Sequence, residues 1–337
     1  MAFSGVRRSG TPCALGQQSP ARIYFMTDLV RQVNLKRMPV NRKLIIWVFV
    51  VTGVMSGWLW WREQKPKLPA LKISYLIENK EMAGERDASR ETARLLTQIR
   101  TKLSAVQGNW AVAVYRIDEK KGYGTGEAMV LPAASIMKVP ILLAVMKKVE
   151  NGQLKMDSEY VLREEDKQSG SGPIEFMDAG TALSVRRLVE EMMKKSDNTA
   201  PVVLIRLVGR KEIEKEIEVL GMKNTNFGEN TTTAYDAGLM WRKIYEMKDE
   251  EMWTLLKDSI YEERIPAGVP REVEVLHKVG TDVNVWADAG IIQCSVLSAQ
   301  CSTKPFILVI LNEGVDMDEA KKLVPDLSRT IWEYEAN

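Results

Sequence analysis

The sequence predicts an α+β fold: an antiparallel β-sheet flanked by helices, with an all-helical subdomain inserted, behind one N-terminal transmembrane helix. Three observations carry that expectation. Two strand-like runs open the globular part, a long helical block follows, and three strands with a terminal helix close it. An uncharged stretch of membrane-spanning length precedes them. At 337 residues, 45% hydrophobic and 27% charged, the chain holds one large domain with appendages.

Residues 1–43 read as a basic cytoplasmic segment, with Arg7, Arg8, Arg22, Arg31, Lys36, Arg37, Arg42 and Lys43 against one acid, Asp28. Residues 44–61, from Leu44 to Trp61, carry no charge and would span about 27 Å as a helix, close to a hydrocarbon core. Trp58, Trp60 and Trp61 then sit at the far interface, so the span reads as an uncleaved signal-anchor. The alternative is a cleaved secretion signal starting at Met38 and cut after Val54-Met-Ser56. Both readings export the remainder. Residues 62–84 are a polar, proline-containing linker, and residues 85–337 form the globular domain.

Glu85 to Gln107 has the apolar spacing of an amphipathic helix. Trp110 to Ile117 is a strand, Asp118 to Gly122 a turn, and Tyr123 to Val130 the returning strand. Leu131 to Met146 reads as a helix with Pro132 in its first turn. Ser184 caps another helix. Further helices run over Pro201–Val208 and Lys211–Leu220, stopped by Gly209 and Gly221, then over Tyr235–Met247 and Glu250–Tyr261. Strands over Val273–Val279, Trp286–Ile292 and Phe306–Leu311 precede a helix from Asp316 to Glu335. Cys294 and Cys301 flank the turn between the last two strands; they either pair there, as an exported protein allows, or stay free.

A net charge of +2 and the lack of a basic stripe with interleaved aromatics give nucleic-acid binding no support. Three cysteines without zinc spacing and a single histidine, His277, imply no metal, and no organic cofactor is implied either. A serine–histidine–aspartate triad through His277 ranks below a lysine-based route.

Ser135 and Lys138, three residues apart, share a helical face and are within reach of each other. Ser135 sits near a helix N-terminus, where free N–H groups favour developing negative charge. Lys138 lies among Ile136, Val139, Ile141 and Leu142, and desolvation there turns an ammonium towards a base. Ser196-Asp-Asn198 forms a turn between helices, whose serine can relay a proton and whose asparagine can hold a carbonyl; an N-cap is the bland alternative. His277-Lys-Val-Gly-Thr281 ends a strand with a lysine and a glycine that allows close backbone approach. Gly170-Ser-Gly172 reads as a turn.

Together these stretches resemble the serine β-lactamases and penicillin-binding proteins, most closely class A β-lactamases. Ser135-Ile-Met-Lys138, Ser196-Asp-Asn198 and Lys278-Val-Gly280 stand in the family's order, over roughly residues 85–335. Thr231-Thr-Thr233, Arg264-Ile-Pro-Ala-Gly-Val-Pro270 and Asp288-Ala-Gly-Ile291 echo it further. The resemblance implies a β-lactamase/transpeptidase-like fold with Ser135 as acylated nucleophile and Lys138 as its base. It implies that Ser196 passes a proton to the leaving nitrogen and Asn198 holds the substrate amide. Lys278 would supply positive potential for the substrate carboxylate. Substrate would lie along Gly280 and Thr281, with the Ser135 and Thr281 N–H groups as oxyanion hole. Asp197 would brace its turn and His277 pack at the strand end.

Two departures stand out. Val279 replaces a hydroxyl residue that normally helps bind the substrate carboxylate. Class A enzymes also carry a deacylating glutamate in a long loop, and here only Asn226-Phe-Gly-Glu-Asn230 lies between Thr225 and Thr231. Ser196 and Lys278 are 82 residues apart, short for that class. Glu229 is the one acid in that loop and reads as a solvated turn residue, with replacement base as the alternative.

The expected function is a membrane-anchored, extracytoplasmic serine hydrolase of the class A β-lactamase type, opening β-lactams through an acyl-enzyme on Ser135. One alternative is a penicillin-binding or D-alanyl-D-alanine peptidase-like protein with slow deacylation, acting on peptidoglycan stem peptides. Another is a non-catalytic cell-envelope domain that binds peptidoglycan.

Overall fold

The computed structural model describes residues 86–294 and 303–336. The predicted basic segment, membrane span and linker lie outside them, as do Cys13 and Cys301. Among the described residues, no helix is long and apolar enough to cross a membrane. Cys294 is disulfide-bonded.

The frame is a five-stranded antiparallel sheet in the order β2-β1-β9-β8-β7. Its strands are β1 (Asn109–Arg116), β2 (Lys121–Thr125), β7 (Val273–Asp282), β8 (Val285–Cys294) and β9 (Phe306–Glu313). β9 runs apolar without a break because both faces of the sheet are covered. Alternate residues go opposite ways: Ile307, Val309 and Leu311 join one core cluster, Phe306, Leu308 and Ile310 the other. The second cluster is closed by α1 (Arg86–Ser104) through Leu95 and Ile99, and by α8 (Met317–Glu335) through Val324, Leu327 and Ile331. Asp316 starts α8 by accepting the N–H groups of Asp318 and Glu319.

On the other face the chain between β1-β2 and β7-β9 builds a lobe of helices. They are α2 (Lys138–Glu150), α3 (Val185–Lys194), α4 (Thr199–Val208), α5 (Arg210–Val219), α6 (Ala234–Met247) and α7 (Glu250–Leu256). α2 is its axis, with every residue from Lys138 to Met146 buried. The lobe is not all-helical. β4 (Glu159–Val161) pairs with β5 (Ala182–Ser184), and β3 (Leu131–Pro132) pairs with β6 (Thr231–Thr232). Ladders of two or three residues are too short to print an alternating pattern in the sequence.

The helix entry also differs from expectation. Pro132 belongs to β3 rather than to a first helical turn, and a 3-10 turn over Ala134–Met137 intervenes before α2. The Ala133 N–H is taken by Asn230 O at 2.9 Å, and Ala134 has φ 47°, a left-handed conformation that breaks a helix there. Tyr123–Val130 likewise supplies only the end of β2, because the chain turns off the sheet at Gly126. The helix expected to reach Tyr261 stops at Leu256.

Candidate active site

Ser135 occupies the 3-10 turn, where a helix leaves its first N–H groups without internal acceptors. The turn packs against β7 at Gly280. A Cβ on Gly280 would fall 2.8 Å from Ala133 O and 3.3 Å from the Ala134 Cβ. Only glycine lets the strand come this near the Ser135 turn. β7 is the sheet's edge. Thr281 opposes Trp286, whose N–H and C=O are both taken by the Asn312 side chain, at 2.7 and 2.8 Å. Thr281 is therefore in a non-hydrogen-bonded pair, and its N–H points off the free edge towards the turn. That is the geometry of a two-amide cradle for an oxyanion.

Lys138 is 7% exposed at the start of α2. Its Nζ donates to Ser196 O at 2.6 Å, to Asn198 Oδ1 at 2.8 Å and, more weakly, to Ser196 Oγ at 3.3 Å. Among the described residues it makes no hydrogen bond to Ser135, which the i,i+3 spacing alone had suggested. Burial pulls its amine down to about 8, and Asp197 opposes that pull. An amine at this value is protonated in most molecules at neutral pH and free in a useful fraction.

The Ser196-Asp-Asn198 turn is braced by its aspartate. Buried Asp197 accepts from Thr199 N and Ala200 N, each at 2.8 Å, and from Ile174 N at 2.9 Å. This fixes the start of α4 and holds Ser196 at φ 54°. A non-glycine residue in that region costs about 1 kcal/mol or more, and such residues concentrate at functional sites. Gly170-Ser-Gly172 proves to be more than a turn. Ser171 O accepts Asn198 N at 2.9 Å and Ser169 O accepts Asn198 Nδ2 at 3.0 Å, so this loop orients the Asn198 amide.

Lys278 is 1% exposed and its Nζ has no hydrogen-bond partner among the described residues. Burial lowers its amine well below the usual lysine range. Lys138 and Arg264 add to that effect and Asp288 opposes it. The site thus gathers two buried amines and a buried guanidinium within reach of one another's charge.

Two features carried no role in the sequence. Arg264, 0% exposed, donates to the carbonyls of Gly280 and Ala287 and to Thr281 Oγ1, and its guanidinium lies 3.6 Å from the Trp286 ring centroid. It clamps the β7-β8 pair together at Gly280, Thr281 and Ala287. The sequence marked Arg264 only as the start of a family-like stretch, and beside exposed Glu262 and Glu263 its burial is visible only in the fold. Asp288, also 0% exposed, accepts from Ile265 N and Ala289 N and from His277 Nδ1. Burial disfavours a charged His277, but Asp288 and Glu262 outweigh it and raise the imidazole to about 9. His277 is therefore part of an ion pair under the strand and is turned away from Lys278.

Val279, in register with Asp288, is 2% exposed and belongs to neither core cluster. The Thr225–Thr231 segment is a tight hairpin. Asn226 and Thr231 exchange both backbone hydrogen bonds, and Asp236 holds Asn224 N and Thr225 Oγ1. Glu229 is exposed at its tip, with its N–H bonded to Asn226 Oδ1. Among the described residues no cluster of side chains suits a metal ion.

With this geometry in hand, the comparisons with known proteins are specific. A family model described as the beta-lactamase enzyme family (Beta-lactamase2) matches residues 94–334. The chain belongs to that family. It is 22% identical over 276 residues to the β-lactamase VEB-1 of Pseudomonas aeruginosa, covering 73% of this chain and 92% of that one. It is 26% identical over 169 residues to the D-alanyl-D-alanine carboxypeptidase DacF of Bacillus subtilis (strain 168), covering 46% of this chain and 43% of that one. Among solved structures, PBP-A superposes with a TM-score of 0.65 at 21% identity, over 72% of this chain and 95% of that one. A β-lactamase from Sphaerobacter thermophilus DSM 20745 superposes with 0.64 at 23%, over 70% and 95%. The fold is the α+β fold of the serine β-lactamases and penicillin-binding proteins, and the family is one of serine hydrolases.

Proposed function

We propose that this family member is acylated on Ser135 by β-lactams and by peptidoglycan stem peptides, and that it releases the acyl group slowly. The observation that carries the reading is the Asn226–Thr231 hairpin. It leaves no room for a long loop, and its single acid, Glu229, stands in solvent. The likeness to PBP-A, a mutant of which was solved as an acyl-enzyme complex with penicillin G, supports the same reading.

In this reading the free amine of Lys138 accepts the Ser135 proton, directly or through Ser196, as the hydroxyl attacks the substrate carbonyl. Negative charge on the carbonyl oxygen falls between the Ser135 and Thr281 N–H groups. Ser196 returns the proton to the leaving nitrogen, and Asn198 holds the substrate's side-chain amide. Lys278 and Thr281 form the end that meets the carboxylate, with Arg264 bracing Thr281 from behind. Water then finds Ser135 acylated while Glu229, the hairpin's acid, stands exposed in solvent. The protein acts outside the cytoplasm, held by residues 44–61; the disulfide at Cys294 suits that compartment.

The test mixes full-length protein with a chromogenic cephalosporin. A single burst equal to the protein concentration, absent in Ser135→Ala, is the expected result. Sustained colour release would return the protein to the β-lactamase reading, which the 92% coverage of VEB-1 favours. No burst at all would leave a peptidoglycan-binding domain without turnover.

A further inference from the structure

Helix α3 ends at Lys194, and the last carbonyls of a helix have no partner within it. The segment that follows α7 lies across that end. The Ile260 N–H donates to Lys194 O at 3.1 Å, and the Tyr261 hydroxyl donates to Lys195 O at 3.3 Å. From the other side, the Ser171 hydroxyl donates to the same Lys195 O at 3.2 Å and lies 3.3 Å from the Tyr261 oxygen. Two hydroxyls, 90 residues apart in the chain, thus converge on one carbonyl. Among the described residues they are its donors. Both side chains are half-buried.

That carbonyl belongs to the peptide unit that carries the Ser196 nitrogen, and a peptide unit moves as one rigid plane. On the other side of Ser196, its own carbonyl is held by Lys138 Nζ at 2.6 Å. The left-handed residue, at φ 54°, therefore stands between two pinned planes. Strain of this kind persists only where the surroundings over-determine it. The Ser171 loop also carries Asn198: Ser171 O accepts its N–H at 2.9 Å and Ser169 O its Nδ2 at 3.0 Å. Loop and turn are packed without slack. A Cβ on Gly170 would fall 2.9 Å from Asn198 Nδ2, and one on Gly172 would run into Asp197. A shift of Ser171 is passed on to Asn198.

We propose that Tyr261 is a positioning residue of this site: together with Ser171 it locks the Lys195 carbonyl, and so sets where Ser196 Oγ and the Asn198 amide stand for acyl transfer. The inference rests on the acyl-transfer reading above and deepens it. Tyr261 acts through its neighbours and not on the substrate. The lock is redundant, because one donor satisfies a carbonyl oxygen. Losing either hydroxyl leaves the other in place. Losing both leaves the carbonyl with no donor among the described residues, next to the strained Ser196.

The experiment uses full-length protein carrying Tyr261→Phe, Ser171→Ala, or both, substitutions that remove a hydroxyl and little else. Second-order acylation is followed by intact mass for penicillin G, which carries a side-chain amide, and for 6-aminopenicillanic acid, which lacks it. Each single change should slow penicillin G by less than about threefold. The pair should slow it by about thirtyfold or more, beyond the product of the singles, because the two share one acceptor. The loss for 6-aminopenicillanic acid should be smaller by about threefold or more, since Asn198 has no amide to hold. Losses that simply multiply, or that are equal for the two compounds, overturn the inference and leave acylation at Ser135 standing. A lowered Tm with unchanged rates overturns it too. Hydrogen exchange on the peptide spanning residues 196–198, read by mass spectrometry, needs no substrate. It should match the unsubstituted protein in each single variant and run about tenfold faster in the pair. Unchanged exchange in the pair overturns the inference. If neither compound acylates the unsubstituted protein, the function reading fails, and the exchange arm still decides whether the two hydroxyls hold the turn.

Discussion

Gly280→Ala tests whether the approach of β7 to the Ser135 turn sets the proposed oxyanion cradle. The added methyl would lie 2.8 Å from Ala133 O, against an ordinary contact of 3.4 Å or more, and also 3.3 Å from the Ala134 Cβ and 3.4 Å from the Ala287 Cβ. All of these atoms are backbone or short side chain, so none can swing away. The strand and the turn must separate by about 0.6 Å, the difference between those two distances. Overpacking of this kind costs about 1–3 kcal/mol, roughly 2–10 °C in Tm for a domain of this size. The Thr281 N–H moves with the strand. A misplacement of about 1 Å can cost a hundredfold in rate, so acylation should fall roughly ten- to a hundredfold. The assay is the second-order rate of penicillin acylation by intact mass, beside a thermal melt. A rate within twofold of the unsubstituted protein would refute the reasoning, whatever the Tm.

Further outcomes follow from the same geometry. Arg264→Lys keeps the charge but gives up the fork that reaches Gly280 O, Ala287 O and Thr281 Oγ1. It should lower Tm and slow acylation by about tenfold, and Arg264→Met by more. His277 is raised from 6.5 to about 9, so its pair with Asp288 stabilises fully below pH 6.5 and is lost as pH climbs through 9. Urea unfolding should show that decline, on the order of 3 kcal/mol, and His277→Asn should flatten it. Glu229→Gln should leave both acylation and the lifetime of the acyl-enzyme unchanged, since the side chain is exposed on the hairpin tip.

The parts of this protein that were legible in the sequence are those with local signatures. Runs rich in strand-forming residues marked β1, β7 and β8, and the unbroken Phe306–Leu311 run marked β9 at the centre of the sheet. The desolvation of Lys138 followed from its apolar neighbours in α2. What was illegible depends on contacts far along the chain. The helix entry was misplaced because Ala133 N is claimed by Asn230, some hundred residues away. No spacing rule shows that Lys138 turns its protons to Ser196 and Asn198 in preference to Ser135. Arg264 looks like a surface arginine until Trp286 closes over it. The Gly170-Ser-Gly172 loop reads as a turn until Asn198 is seen to hang from it.

The central claim is an acyl group on Ser135 that stays. The most direct measurement incubates full-length protein with penicillin G, removes the excess, and follows intact mass while peptide mapping locates the adduct. The account predicts one adduct per chain, on the peptide holding Ser135, persisting long after the free drug is gone. An adduct elsewhere, or one that disappears within the time of its formation, would contradict it.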